Sequence, residues 1–159
     1  MQLWANMTDG QNTADDWDPY LPFLDGTMDE AFADGWSSFK DATSWLAQVE
    51  RMEKVLCRGK SFLGVVQGVR ANTHLQQFGL ASYLLGAGNN AYFRYSHSAY
   101  YSDAWWYSNY ASKLGVSVGA RYQNGSGLWE RDFACGSVTA NVSTQVGTIT
   151  TDSSLPGCS

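Results

Sequence analysis

Residues 25–30 read Asp-Gly-Thr-Met-Asp-Glu within the stretch FLDGTMDEAF, which sets Asp25, Asp29 and Glu30 among Leu24, Met28 and Phe32. A carboxylate at the end of a buried strand is costly to desolvate, so it persists where it is paired or where it does chemistry. The chemistry open to it is proton transfer or nucleophilic attack. If FLDGTM is a parallel strand, alternation puts Gly26, Met28 and Glu30 on one side and Asp25 and Thr27 on the other. Glu30 then stands at the strand's carboxyl end, where barrels of parallel strands build their active sites. Asp25 falls near the strand's start, where a structural hydrogen bond is the expected role. The rival role for Glu30 is to cap the loop that follows.

The second concentration of functional types is the run YFRYSHSAYYSDAWWYSNY, residues 92–110. Tyr100, Tyr101, Trp105 and Trp106 sit there among Ser and Asp, a mixture expected of a half-exposed surface rather than a core. Indole faces give contact area at little entropic cost, which suits a flat ligand such as a sugar ring. His97 reads first as a hydrogen-bonded histidine and second as a site residue. Neither His74 nor His97 belongs to a triad or metal pattern, and no GxSxG elbow occurs. GAGNNA at 86–91 has the glycines of a dinucleotide loop in the wrong order, after a helix and before a strand. No cofactor and no metal is expected.

These residues must be positioned by a scaffold, and periodicity supplies one. QLWANM is a short apolar strand candidate and FLDGTM a second. In TSWLAQVERMEKVLCRGK, Trp45, Val49, Met52 and Leu56 share one helical face. Thr43 or Ser44 can cap its start, and Gly59 can end it in a left-handed turn. SFLGVVQGV is a continuous apolar strand, THLQQFGLASYLLGAG a second helix through Leu75, Phe78, Ser82 and Leu85, and AYFRYS a fourth strand. Strands alternating with helices predict a parallel sheet. ARYQNGSGLWERDF and GSVTANVS read as two or three antiparallel strands with Asn124-Gly125 at a turn. TTDSSLPGCS reads as a loose tail.

Bulk composition narrows the function. With 44% apolar and 16% charged residues the chain is expected to be folded throughout most of its length. A net charge of −5 speaks against a nucleic-acid partner, which needs a basic face. No run approaches the roughly 18 apolar residues of a membrane span, so no membrane partner is expected. The opening MQLWANMTDG does not have the basic and apolar regions of a signal peptide. Cys135 and Cys158 can pair, leaving Cys57 over, but three free thiols fit equally well. Three sequons, at Asn6, Asn124 and Asn141, matter only in a secreted eukaryotic chain, so localisation stays open.

Three segments together resemble the hypothetical TIM-barrel glycoside hydrolases of glycoside-hydrolase-like family 15: DGTMDE, LASYLLGAGNNAYFRYS, and YASKLGVSVGARYQ with LWERDFACGSVTANVS. The last combination is the most specific of the three. The resemblance implies an α/β fold in which residues 1–115 form half of a (β/α)8 barrel. A short antiparallel β segment, 116–150, would pack on it, and 151–159 would be a tail. A full barrel takes about 250 residues, so the likeness is to a carboxyl-terminal half, completed by a homodimer partner or by a missing amino-terminal half. It further implies cleavage of O-glycosidic bonds in a carbohydrate substrate by two carboxyl groups. Glu30 would be one, with Asp25, Asp9 or Asp103, or a residue of the other half, as the second. Asn6, Gln67, Arg94 and His97 would contact sugar hydroxyls, and Trp105 and Trp106 would form a platform. The alternatives are a carbohydrate-binding module without catalysis and a purely structural half-barrel.

Overall fold

The computed structural model describes residues 1–7, 13–35 and 38–158. Its order is β1 (Trp4–Asn6), β2 (Gly26–Asp29), α1 (Ala42–Cys57), β3 (Ser61–Gly68), α2 (Thr73–Gly86) and β4 (Ala91–His97). These are followed by β5 (Tyr122–Gln123), β6 (Trp129–Phe133), β7 (Gly136–Asn141) and β8 (Val146–Thr151). Strands β1 to β4 form one parallel sheet in sequence order. Strands β5 to β8 form a separate antiparallel sheet.

Local chemistry explains the elements. Helix α1 is capped by Asp41, whose Oδ1 accepts from the Ser44 backbone N–H at 2.9 Å, two residues before Thr43 and three before Ser44, the caps expected from sequence. It ends at Gly59, whose φ of +69° lets the chain leave the helix without a Cβ clash. Asn72 caps α2 through Leu75 N–H at 3.1 Å. FLDGTM splits in two: Leu21–Phe23 form a 3-10 turn around Pro22, and the strand begins only at Gly26. Lys54 of α1 bonds Asp15 and Asp18, and Arg58 pairs with Asp18 at 2.9 Å, which ties the loop before β2 to that helix.

Both helices pack on the same face of the parallel sheet. Phe62 and Val66 of β3 and Tyr95 of β4 meet Trp45, Val49, Met52, Phe78 and Leu85 in one core. Trp45 Nε1 donates to Ser82 Oγ at 2.9 Å, joining the two helices by a buried hydrogen bond. Alternation sends the other set of side chains, including Met28, Leu63, Val65, Gln67 and Arg94, away from the helices. Trp4 and Tyr92 on that face are 39% and 53% exposed.

The antiparallel sheet lies on α2, outside the helix layer. Gly147 permits this approach, because a Cβ there would stand 2.6 Å from the Ala81 side chain and 2.8 Å from Gln77 O. Four strands occur where two or three were expected. The missed one, Val146–Thr151, is rich in β-branched residues but short of apolar ones. The closing stretch is anchored rather than loose: β8 runs to Thr151, and Cys158 is disulfide-bonded to Cys135. Cys57 is a free, exposed thiol.

Candidate active site

Glu30 immediately follows β2 and projects on the helix-free face. Parallel pairing sets Asn6 opposite Met28, so its side chain rises beside Glu30, and Asn6 Nδ2 donates to Glu30 Oε2 at 2.7 Å. From the other side Gln67, at the end of β3, donates through Nε2 to Glu30 Oε1 at 3.2 Å. The Tyr101 hydroxyl also donates to Oε1 and in turn accepts from Gln67 Nε2 at 2.5 Å. Glu30 therefore accepts from three donors through both of its oxygens. Asn6, Glu30 and Gln67 come together at the carboxyl ends of three adjacent strands.

Tyr101 is held from behind by Arg94, whose guanidinium donates to the Tyr101 backbone carbonyl and lies 5.5 Å from the phenol ring centroid. Arg94 also donates to the Asp103 carbonyl at 3.4 Å. Its role is thus to fix the 101–103 segment over the sheet rather than to point a free guanidinium outward. Burial, and then the hydrogen bond to Glu30, push the Tyr101 phenol up to about 12, so it remains a proton donor to the carboxylate at neutral pH.

The remaining expected residues lie elsewhere. Asp25 precedes β2 at the opposite end of the sheet, and its Oδ2 accepts from the Leu3 backbone N–H at 2.7 Å. At about 3.3 Å per residue, the five steps from Asp25 hold it on the order of 16 Å from Glu30 along the strand. That exceeds the spacings of about 5–9.5 Å used by paired catalytic carboxylates. Asp25 and Glu30 are not brought together, because the strand that joins them also separates them. Asp103 is carried two residues beyond Tyr101, and its Oδ1 accepts from Ser102 Oγ at 3.5 Å. Asp9 lies outside the described residues.

His97 accepts from Ala99 N–H through Nδ1 at 3.0 Å and stacks on Tyr100 at 4.8 Å, so it supports the turn after β4. Trp105 packs between Tyr95, at 5.7 Å, and His97, at 6.2 Å, and is half-buried. Trp106 is 71% exposed and stands edge-on to Tyr110 at 5.5 Å. With Phe93 and Tyr110 it separates two cavities of about 340 and about 320 Å³ beside β4. Trp105 and Trp106 both line the second of these cavities, together with Arg94 and Tyr95.

Sequence reading missed Tyr101 as a contact of Glu30, and missed the pair beneath it. Asp29 points to the helix side, 2% exposed, where its Oδ2 accepts from Gln48 Nε2 at 3.0 Å. The signal was present: Gln48 interrupts the buried stripe of α1 between Trp45 and Met52. Among the described residues no cluster of His, Cys, Asp and Glu could hold a metal ion, and no helix is long and apolar enough to cross a membrane.

No curated protein matches the chain. Residues 4–137 match the profile of the hypothetical glycosyl hydrolase family 15, and with most of its length covered the chain belongs to that family.

Proposed function

We propose that the chain is part of an enzyme that cleaves O-glycosidic bonds, with Glu30 as its anionic carboxylate. The observation that carries this reading is the convergence of Asn6, Gln67 and Tyr101 on Glu30 at the carboxyl ends of β1 to β3. A carboxylate fixed by three donors is oriented to attack an anomeric carbon or to draw a proton from water. The donors keep its charge in place before the substrate arrives, so little reorganisation accompanies the reaction. The proton donor to the leaving oxygen belongs on an opposing wall, and Asp103 is the candidate that this chain supplies.

The helix-free face supports a further element of the proposal: β1 to β4 are half of a (β/α)8 barrel. A sheet with helices on one face and Trp4 and Tyr92 exposed on the other fits a barrel wall. Among the described residues the edges at β1 and β4 have no strand beside them, and a second half, from further polypeptide or a second copy, would close them.

The test is hydrolysis of aryl glycosides and polysaccharides by the wild type and by Glu30→Gln. A fall of about 10²- to 10⁴-fold in kcat with an unchanged fold supports the assignment. Equal cleavage by both proteins removes it.

A second reading, sugar binding without catalysis, is favoured by the exposure of Trp106 next to two ligand-sized cavities. It expects sugar-induced quenching of tryptophan fluorescence that survives Glu30→Gln and disappears in Trp106→Ala.

A further inference from the structure

Resting on the reading of Glu30 as the reacting carboxylate, we infer that Asp29 and Gln48 are the positioning pair that sets its backbone. Glu30 is flanked by Asp29 before it and by Ala31, Phe32 and Ala33 after it. Asp29 Oδ1 accepts from Ala31 N–H at 3.2 Å, and Gln48 Nε2 donates to both Asp29 Oδ2, at 3.0 Å, and Ala31 O, at 2.9 Å. Gln48 Oε1 accepts from Ala33 N–H at 2.8 Å. Phe32 N–H continues the ladder to Val65 O at 3.1 Å. Every backbone turn after Glu30 is thereby tied to one buried pair or to β3.

Ala33 adopts φ +60°, a left-handed conformation that costs a non-glycine residue energy and persists only where the surroundings impose it. The Gln48 bond is the imposing contact. With the main chain locked from the helix side, the Glu30 side chain keeps only its own torsions, and Asn6, Gln67 and Tyr101 fix those from the open face. Asp29 and Gln48 are 2% and 3% exposed and lie on the helix side of the sheet, so they act through Glu30 without touching substrate.

The network is matched to an ionised Asp29. Each of its oxygens faces a donor, Ala31 N–H at Oδ1 and Gln48 Nε2 at Oδ2, so a proton on Oδ2 would oppose Gln48 Nε2 and force Gln48 to turn away from Ala33. The charged groups that face Asp29 are Arg51 of α1 and Lys40 of the preceding segment, both of which favour the anion. Burial outweighs them and pushes the carboxyl up to about 6.

The experiment needs no substrate. Carbon-13 shifts of the Glu30 carboxyl, assigned by their absence in Glu30→Gln, are followed from pH 4 to 8 with amide exchange at Ala33. The wild type is expected to show a step in the Glu30 shift near pH 6, set by Asp29 and lost in Asp29→Asn. Gln48→Met is expected to exchange the Ala33 amide at least tenfold faster while amides of β3 and α2 keep their protection. In any cleavage assay that succeeds, Gln48→Met should lower kcat about tenfold with little change in KM. Identical Glu30 titrations in wild type and Asp29→Asn, or unchanged protection of Ala33 in Gln48→Met, would overturn the inference. Should Asp29→Asn fail to fold, the Gln48→Met exchange decides alone. A wild type that cleaves nothing removes the enzymatic reading and leaves the shift and exchange results standing.

Discussion

Asn6 and Glu30 belong to neighbouring strands, and the amide nitrogen of one sits 2.7 Å from a carboxylate oxygen of the other. The contact follows from register: parallel pairing of Asn6 with Met28 puts both side chains on one face, and Glu30 is the next residue of that parity. A slip of one residue between β1 and β2 would turn Asn6 toward the helices and leave Glu30 with two donors.

Asn6→Ala therefore separates site from scaffold. Asn6 is exposed on a three-residue edge strand, so the lost bond should cost no more than about 1–2 kcal/mol of stability. Glu30 loses the donor that fixes Oε2, and glycoside cleavage should fall at least tenfold. Urea unfolding and initial rates on one aryl glycoside measure the two effects. A variant as active as wild type would show that Oε2 needs no partner.

Gly147→Ala probes the seating of the antiparallel sheet on α2. The added methyl would meet the Ala81 side chain at 2.6 Å and the Phe78 Cα at 2.9 Å, with backbone on one side and no flexible tip to move. Overpacking of this kind costs about 1–3 kcal/mol. The expected result is a lower urea midpoint with chemical-shift changes concentrated in β7, β8 and α2. A midpoint equal to wild type would mean that the two layers separate freely.

Reduction of the Cys135–Cys158 bond tests the anchoring of the closing stretch. The bridge spans 23 residues, and constraint of a loop of that size is worth about 3 kcal/mol in the unfolded chain. Cys135→Ser with Cys158→Ser should lower the melting temperature and raise proteolysis after Thr151, with the Glu30 environment unchanged. Thiol titration of the unreduced, denatured protein should find one reactive group, Cys57. Three would contradict the pairing.

The parts of the fold legible in the sequence are those governed by local periodicity. Trp45, Val49 and Met52 announce α1, and the apolar run SFLGVVQG announces a strand buried on both faces, though the structure covers one face fully and the other only in part. Glu30, Asn6 and Gln67 were legible as strand ends because the carboxyl ends of a parallel sheet converge. Tyr101 was not, because its approach to Glu30 is 71 residues away in sequence and set by how Arg94 draws in the segment after β4. Trp105 and Trp106 line one cavity yet differ in exposure, because Trp105 packs on Tyr95 while Trp106 meets solvent.

Asp29 gives the last prediction, in the pH dependence of stability. Its folded carboxyl is pushed from the ordinary 3.8 up to about 6, mainly by burial. Above about pH 6 the group is ionised folded and unfolded, and the folded state bears the full cost of burying the charge. Below 3.8 it is protonated in both states and the cost vanishes. Its contribution therefore falls as pH rises through the interval between, by on the order of 3 kcal/mol over the whole interval. Asp34 and Glu53, raised by burial, and Asp18, Asp41 and Asp152, lowered by their hydrogen bonds, also shape the wild-type curve. The difference between wild type and Asp29→Asn cancels those groups. Urea unfolding at pH 4.5 and pH 7 should show Asp29→Asn gaining on wild type by about 2 kcal/mol at the higher pH. Parallel stabilities at the two values would mean that Asp29 keeps an ordinary carboxyl despite its burial against α1.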